Sequence, residues 1–117
     1  YFGGGECMII QELNKTNATV FELEGRLDSS TSSQLEKKLL DSLESGKKNM
    51  VIDFARVDYI SSAGLRVLLM AAKKSKAAGG KVRLCALMDN VREVFDIAGF
   101  TSIFSITSSQ EEALLSI

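Results

Sequence analysis

Histidine and proline are absent from this sequence of 117 residues, and cysteine occurs only twice, at Cys7 and Cys85. Without histidine, every nucleophilic site that pairs a serine or cysteine with a histidine base is excluded. Each cysteine lies in an apolar stretch with no second cysteine nearby, which argues against a disulfide framework and against a zinc site. We expect two small buried thiols in a reducing cytosol, and no metal site.

An excess of charge of either sign is also missing. The 14 basic and 15 acidic residues give a formal net charge of -1 at pH 7, and such a balance does not draw a protein to nucleic acid or to an anionic membrane. No apolar run approaches the roughly 20 residues that span a bilayer, and no basic segment followed by an apolar one suggests a signal peptide. We therefore expect a cytoplasmic protein with no membrane span and no direct contact with nucleic acid.

Apolar residues are nevertheless plentiful. They make up 45% of the sequence, which is enough for one core without disulfides or metal. No internal repeat, linker or proline-rich tract divides the chain, so residues 6–117 are expected to form a single domain. Residues 1–5, Tyr-Phe-Gly-Gly-Gly, have the glycine-rich composition of a cloning remnant, and we expect them to stand outside the fold.

Hydrophobic periodicity predicts five strands and four helices. The strands are expected at residues 7–13, 19–27, 50–54, 81–87 and 103–106. The helices are expected between residues 31 and 46, over 62–78, from 89 or 90 to 98, and after residue 108. The predicted helix caps are Thr31 paired with Gln34, Asp89 or Asn90, and Ser108 paired with Glu111.

The order of these elements predicts the fold class. The first two strands are joined by a polar turn, Asn14-Lys15-Thr16-Asn17, which is typical of a β-hairpin. Helices and strands then alternate. The sequence therefore predicts an α/β fold, with a mixed, mostly parallel β-sheet of about five strands packed with about four helices.

Two adjacent serines, Ser61 and Ser62, lie where the chain leaves a strand-like segment and enters the second helix. A hydroxyl at this junction can cap the helix by accepting from its free amides, and Ser61 is placed for that role. Ser62 falls on the first turn, where an outward hydroxyl would hold a phosphate close to those amides and to the positive end of the helix dipole. Ser62 is therefore the candidate modification site, with Ser61 as the alternative.

The second helix is apolar over a wider arc than contact with a sheet requires. Deep burial between the sheet and a neighbouring helix would explain this width. Alternatively, part of the surface near Leu65, Leu69 and Ala72 docks a partner. Both explanations can hold for different residues of the helix.

Three segments together resemble the STAS domain of bacterial anti-sigma factor antagonists. They are MVIDF at residues 50–54, VDYISSAGLRVLL at residues 57–69, and GRLD at residues 25–28 before the first helix. The resemblance covers nearly the whole chain after residue 5, in the order and spacing of its elements. In that family the phosphorylated serine stands two residues before a glycine, in an aspartate-serine-serine (or threonine)-glycine segment.

Aligning this segment on Gly64 places the phosphoacceptor at Ser62. Ser61 then stands where the family often has aspartate, and Ala63 where it has serine or threonine, so the sequence departs from the family pattern on both sides of the acceptor. Asp28 matches a loop aspartate that lies near the acceptor in the family.

The resemblance implies a STAS fold and a binding module with no catalytic residue and no cofactor of its own. The unphosphorylated form would bind an anti-sigma factor that is also a serine kinase, and so free a sigma factor. That kinase would use ATP to phosphorylate Ser62 and end the complex, and a metal-dependent serine phosphatase would restore it. The expected partner surface comprises Asp28, Ser61, Ser62, Gly64, Leu65 and Leu69.

Other functions fit the sequence less well. A Ser-Lys enzyme is disfavoured because the lysines at 73, 74 and 76 lie about three helical turns from Ser62. Gly79-Gly80-Lys81 resembles a phosphate loop only superficially, since Ser75 and Val82 occupy positions that the Walker pattern gives to glycine and to serine or threonine. The main alternative keeps the STAS fold but makes the chain an adaptor in a sensory assembly, or a soluble partner of a lipid or anion transporter.

Overall fold

The computed structural model describes residues 8–117. The predicted cloning remnant and Cys7 lie outside the described residues. The elements in chain order are β1 (Ile9–Asn14), β2 (Thr19–Leu27), α1 (Ser29–Glu44), β3 (Met50–Ile60), α2 (Ser62–Ala77), β4 (Val82–Cys85), α3 (Asp89–Ala98), β5 (Ser105–Thr107) and α4 (Gln110–Leu115), with a short 3-10 turn at Phe100–Ser102.

The five strands form one sheet in the order β1-β2-β3-β4-β5. Strands β1 and β2 are an antiparallel hairpin, and every later pairing is parallel. Each parallel connection carries a helix, as parallel strands require. The predicted fold class, a mixed and mostly parallel five-stranded sheet with four helices, is confirmed.

The main core lies between one face of the sheet and helices α1, α2 and α3. Alternate residues of β3, Met50, Ile52 and Phe54, are fully buried on this face, in keeping with the period of two along a strand. The Phe54 ring meets the Phe95 ring of α3 edge to face, with 6.0 Å between their centroids. This contact fixes α3 against the middle of the sheet.

A smaller core covers part of the opposite face. Val20 of β2, Val51 of β3 and Cys85 of β4 pack there with Ala113 of α4. The first half of β3 is therefore apolar on both sides because it is covered on both sides, as its nearly continuous apolar run predicts.

Strand β3 is longer than its predicted range. It continues six residues past Phe54, to Ile60, because its pairing with β2 persists through Leu27 opposite Ile60 across two irregularities in register. The strands β4 and β5 are shorter or later than predicted, at Val82–Cys85 and Ser105–Thr107. Because of its greater length, β3 ends directly before the serine pair.

The predicted cap of α1 was wrong. The helix begins at Ser29 and its cap is Asp28, which forms the capping box with Thr31. Gln34 instead donates from Nε2 to the carbonyl of Met8, at 2.6 Å. The side-chain cap thus lies three residues earlier than the pattern indicated, on the aspartate that follows β2.

The caps of the last two helices also differ from prediction. Met88 precedes α3 and supplies no side-chain cap, while Asn90 donates to the carbonyl of Asp58 at 2.7 Å. Helix α4 is capped by Ser109, whose hydroxyl accepts from the amide of Glu112. That pair lies one residue after the predicted one.

Candidate functional site

The carboxyl ends of β2 and β3 lie side by side and bring the predicted site residues to one edge of the sheet. Leu27 is opposite Ile60, and the amide of Ser61 donates to the carbonyl of Leu27 at 2.9 Å. Asp28 and Ser61, one residue beyond these strands, therefore start α1 and α2 at the same edge. The site is built where two parallel strands turn into two neighbouring helices.

Ser61 caps α2, as its position in the sequence predicts. Its backbone is extended and its hydroxyl accepts from the amide of Gly64 at 3.4 Å. The carbonyl of Ser61 accepts from the amide of Leu65, so this residue supplies both the side-chain and the main-chain acceptor for the first turn. Its hydroxyl is committed to the helix.

Ser62 is the first residue of α2, and its side chain is exposed. Among residues 8–117 its hydroxyl makes no hydrogen bond, and the first turn of the helix carries no acidic residue. A group attached to this oxygen would lie near the positive end of the helix dipole without opposing charge from that turn. The two neighbouring serines are thus in different chemical situations.

Asp28 holds the first turn of α1 with a single carboxylate oxygen. Its Oδ1 accepts from the hydroxyl of Ser30 at 2.8 Å, from the amide of Ser30 at 3.0 Å and from the amide of Thr31 at 3.1 Å. The Ser30 hydroxyl, followed by the Thr31 amide, lowers the pKa of Asp28 from its ordinary value of 3.8. Within residues 8–117 its Oδ2 accepts no hydrogen bond, so the carboxylate caps α1 and also presents a negative oxygen at the edge.

Gly64 lets α2 approach the ends of β2 and β3. A Cβ atom at this position would lie 2.7 Å from Cγ of Leu27 and 3.0 Å from Cγ1 of Ile60. Leu65 is only 8% exposed and belongs to the main core. Both residues therefore lie beneath the predicted partner surface, and they shape it from below.

Burial accounts for most of the apolar width of α2, which is the first of the two explanations that its sequence allowed; docking of a partner stays a prediction. Leu65, Leu68 and Ala71 are buried in the core, whereas Leu69 and Ala72 are half-buried. Leu69 is the apolar side chain of the predicted partner surface that is partly open to solvent. Contact with the sheet and with α1 accounts for the rest of the apolar arc.

An aromatic and a basic side chain flank the edge, and sequence reasoning missed their pairing. The guanidinium of Arg26 lies over the ring of Tyr59, 4.1 Å from its centroid, because the two residues are opposite each other on β2 and β3. Tyr59 is 40% exposed. The sequence did offer a signal for this pair, since Arg26 lies two positions before Asp28 and Tyr59 lies two positions before Ser61.

A groove of about 400 Å³ runs between α1 and α2, and it too was not predicted. Ser29, Ser33 and Glu36 line it from α1, and Ala63, Arg66 and Met70 line it from α2. The spacing of three and four residues on each helix was visible in the sequence. Which two helices would face each other was not, because that depends on the order of the strands in the sheet beneath them.

On the opposite face of the sheet, two carboxylates act on a buried thiol. Gln110 of α4 donates from Nε2 to Asp53, at 2.6 Å, and to Glu22. Burial, together with the negative charges of Asp53 and Glu22, raises the pKa of Cys85 to about 12. The prediction of a buried thiol is confirmed for Cys85, and this thiol is protonated at neutral pH.

The described residues contain no group of three or more acidic, cysteine or histidine side chains placed to hold a metal ion. Across the same range, no helix is long and apolar enough to cross a bilayer.

The glycines after α2 have a structural explanation. Gly79 has a φ of +85°, just past the helix end, and a Cβ atom on Gly80 would lie 2.3 Å from the carbonyl oxygen of Lys48. Chain reversal and close backbone contact therefore account for this glycine pair, as helix capping predicts.

Comparison with known sequences gives the family. Residues 10–113 match the STAS domain family. The chain is 46% identical over 91 residues to BtrV of Bordetella bronchiseptica, a candidate anti-sigma factor antagonist, with 78% of each chain covered. It is 31% identical over 87 residues to the anti-sigma-B factor antagonist of Bacillus subtilis, which covers 74% of this chain and 79% of that protein.

The fold is similar to that of SpoIIAA, an anti-sigma factor antagonist with structures in two states. The TM-score is 0.80 to the unphosphorylated form, at 24% identity over 91% of this chain and 93% of the other. To the phosphorylated form from Bacillus it is 0.73, at 22% identity over 91% and 96%. At these identities the structures show the fold alone, and the family rests on the sequence matches. The chain belongs to the STAS domain family and, within it, to the anti-sigma factor antagonists.

Proposed function

We propose that this chain is an anti-sigma factor antagonist switched by phosphorylation of Ser62. In the unphosphorylated form it binds an anti-sigma factor and so frees a sigma factor; phosphate on Ser62 ends that complex. The observation that carries the proposal is the exposed hydroxyl of Ser62 on the first turn of α2, which makes no hydrogen bond with any residue of the described part, 8–117. Ser61, the alternative acceptor, is half-buried and its hydroxyl caps the helix.

The electrostatics of the edge support a switch that leaves the fold intact. A phosphate adds a charge of about -1.5 to -2, and a helix N-terminus stabilises such a charge in the free protein. In an interface the same charge has to be desolvated, and this penalty can exceed the gain even when a cation pairs with the charge. The domain therefore stays folded when Ser62 is phosphorylated, whereas its complex with the anti-sigma factor is destabilised.

The partner surface of the proposal is the edge around Ser62. Asp28 offers its free Oδ2, Ser62 its hydroxyl and Leu69 a half-buried apolar side chain, while Gly64 and Leu65 set the height of α2 above the strand ends. The Arg26–Tyr59 pair extends this surface on the strand side.

The other participants follow from the family resemblance. The anti-sigma factor acts as the serine kinase and uses ATP, and a metal-dependent serine phosphatase removes the phosphate. In this proposal the chain catalyses nothing, needs no cofactor and works in the cytoplasm. Its lack of histidine supports a non-catalytic role for the two serines.

Binding by Ser62 variants tests the proposal. Ser62→Asp is expected to keep the fold and to weaken binding to the anti-sigma factor strongly, because it puts a negative charge in the interface. Ser62→Ala is expected to bind but to resist phosphorylation. Titration calorimetry with a candidate anti-sigma factor, and circular dichroism of each variant, provide the measurements. Equal binding by both variants would contradict the switch and favour a constitutive STAS adaptor in a sensory or transport assembly.

A further inference from the structure

We propose that Arg66 binds the phosphate of phosphorylated Ser62 and thereby leaves the groove between α1 and α2. This inference rests on the proposed phosphorylation of Ser62 and assigns to Arg66 the role of a phosphate-binding residue. No motif in the sequence marks Arg66, and the family resemblance gives it no role.

Helix geometry places Arg66 correctly for this contact. Ser62 and Arg66 are four residues apart in α2, and such residues have Cβ atoms about 5–6 Å apart on one face of a helix. Side chains of a helix lean toward its N-terminus, so Arg66 leans over the turn that begins with Ser62. The order of the two groups is also favourable, because an acidic group placed four residues before a basic one stabilises a helix more than the reverse order does.

Arg66 is available to pair with a phosphate. Its side chain is exposed, and none of the three ion pairs formed among residues 8–117 involves it. Glu36, across the groove on α1, is the one acidic side chain among the residues that line the groove, and it forms no ion pair with Arg66. A phosphate on Ser62 would therefore meet a guanidinium with no competing ion pair among these residues.

A guanidinium is well suited to this task. It can donate two parallel hydrogen bonds to phosphate oxygens, which fixes the orientation of both groups. In the phosphorylated protein the phosphate would lie along α2, and the positive charge of Arg66 would be drawn away from Ser33 and Glu36. Phosphorylation would thus change the partner surface at two places, by adding a negative charge at Ser62 and by removing a positive one from the groove.

The ionisation of the phosphate itself tests this contact. Phosphoserine is placed at position 62 during translation, so the sample does not depend on any kinase, and its second pKa is measured by phosphorus NMR as a function of pH. Arg66 stabilises the dianion and lowers this pKa, so Arg66→Gln is expected to raise it by about 0.3 unit or more.

Lys73→Gln is the matched control. It removes one positive charge from the same helix about 16 Å from Ser62, beyond the screening length of about 8 Å at physiological salt, so the phosphate pKa is expected to stay unchanged. The other charged groups near this edge, Arg26, Asp28 and Glu36, are the same in both variants. Thermal unfolding confirms that each variant is folded.

The two outcomes are distinct. A higher phosphate pKa in Arg66→Gln alone supports the contact. The same pKa in the parent, Arg66→Gln and Lys73→Gln proteins would overturn it, without affecting the proposal that Ser62 is phosphorylated. Conversely, failure of every candidate kinase to phosphorylate Ser62 would contradict the proposed function whatever the NMR result.

Discussion

Ser61 and Ser62 are neighbours in the sequence, and one peptide bond separates two physical roles. Ser61 is half-buried and bonded to the helix it caps, whereas Ser62 is exposed and its hydroxyl makes no hydrogen bond within residues 8–117. A modification of Ser61 would remove the cap, which contributes about 1 kcal/mol to a typical helix. A modification of Ser62 adds charge without removing any native hydrogen bond, which is what a reversible switch requires.

Asp28 is the second residue whose role the structure refines. The family resemblance made it a partner contact, and the structure also makes it the cap of α1. Asp28→Ala is expected to lower the free energy of unfolding by about 1 kcal/mol, whereas Asp28→Asn keeps a capping oxygen and costs much less. If the charge also contacts the partner, both variants weaken binding to the anti-sigma factor to a similar extent.

Thermal unfolding and binding affinity, measured on both Asp28 variants, separate these roles. A clear loss of stability in Asp28→Ala, with normal phosphorylation and affinity in both variants, would leave Asp28 a structural cap only.

The pH dependence of the free energy of unfolding provides a second test of the cap. Because the pKa of Asp28 is lowered from 3.8, its carboxylate stabilises the fold fully above that pH and progressively less as pH falls through the lowered pKa. The difference in stability from Asp28→Asn should therefore shrink below about pH 3.8.

At the scale of elements, the height of α2 above the strands depends on one missing side chain. Gly64→Ala would place a methyl group 2.7 Å from Leu27, so the helix or the leucine has to move. We expect a loss of roughly 1–3 kcal/mol in the free energy of unfolding, typical of overpacking. Because the same movement displaces Ser62, binding to the anti-sigma factor should fall as well.

Chemical denaturation and partner affinity measure these two effects of Gly64→Ala. Ala63→Ser is the control, since it alters the adjacent, half-buried position with a similarly small change. Unchanged stability in Gly64→Ala would show that α2 does not need its close approach to β2 and β3.

The order of the elements was predictable because hydrophobic period reports which faces are buried. The far half of β3 was not, since Ala55, Arg56 and Asp58 interrupt its apolar pattern and its pairing with β2 holds it extended. Capping residues were displaced by one or three positions because several neighbouring residues have suitable side chains. Only the backbone decides which of them precedes the first turn.

The candidate site was also predictable only in part. The serine pair could be located because the start of a helix, with its capping residue, is a local feature of sequence. The groove with Arg66, and the contact of Arg26 with Tyr59, bring together separate elements. Those contacts follow from strand register and helix packing, which a single sequence does not display.

At the scale of the whole molecule, Cys85 reports on opening of the domain. Its side chain projects from β4 and is fully buried beneath α4. Because its pKa is raised to about 12, little thiolate forms at neutral pH. In a Cys7→Ser background, we expect an aromatic disulfide reagent to label Cys85 at least a hundredfold more slowly in the native protein than in denaturant. Comparable rates in both would mean that α4 does not protect the opposite face of the sheet.

In the proposed function, the whole molecule supports one small edge, where phosphate on Ser62 would decide whether the anti-sigma factor binds. The most direct test is to incubate the protein with its anti-sigma kinase and ATP, locate the phosphate by peptide mass spectrometry, and follow the complex by size-exclusion chromatography. We expect phosphate on Ser62 and loss of the complex in step with it. A complex that persists after Ser62 is fully phosphorylated, or that dissociates with phosphate only on another residue, would contradict the proposed function.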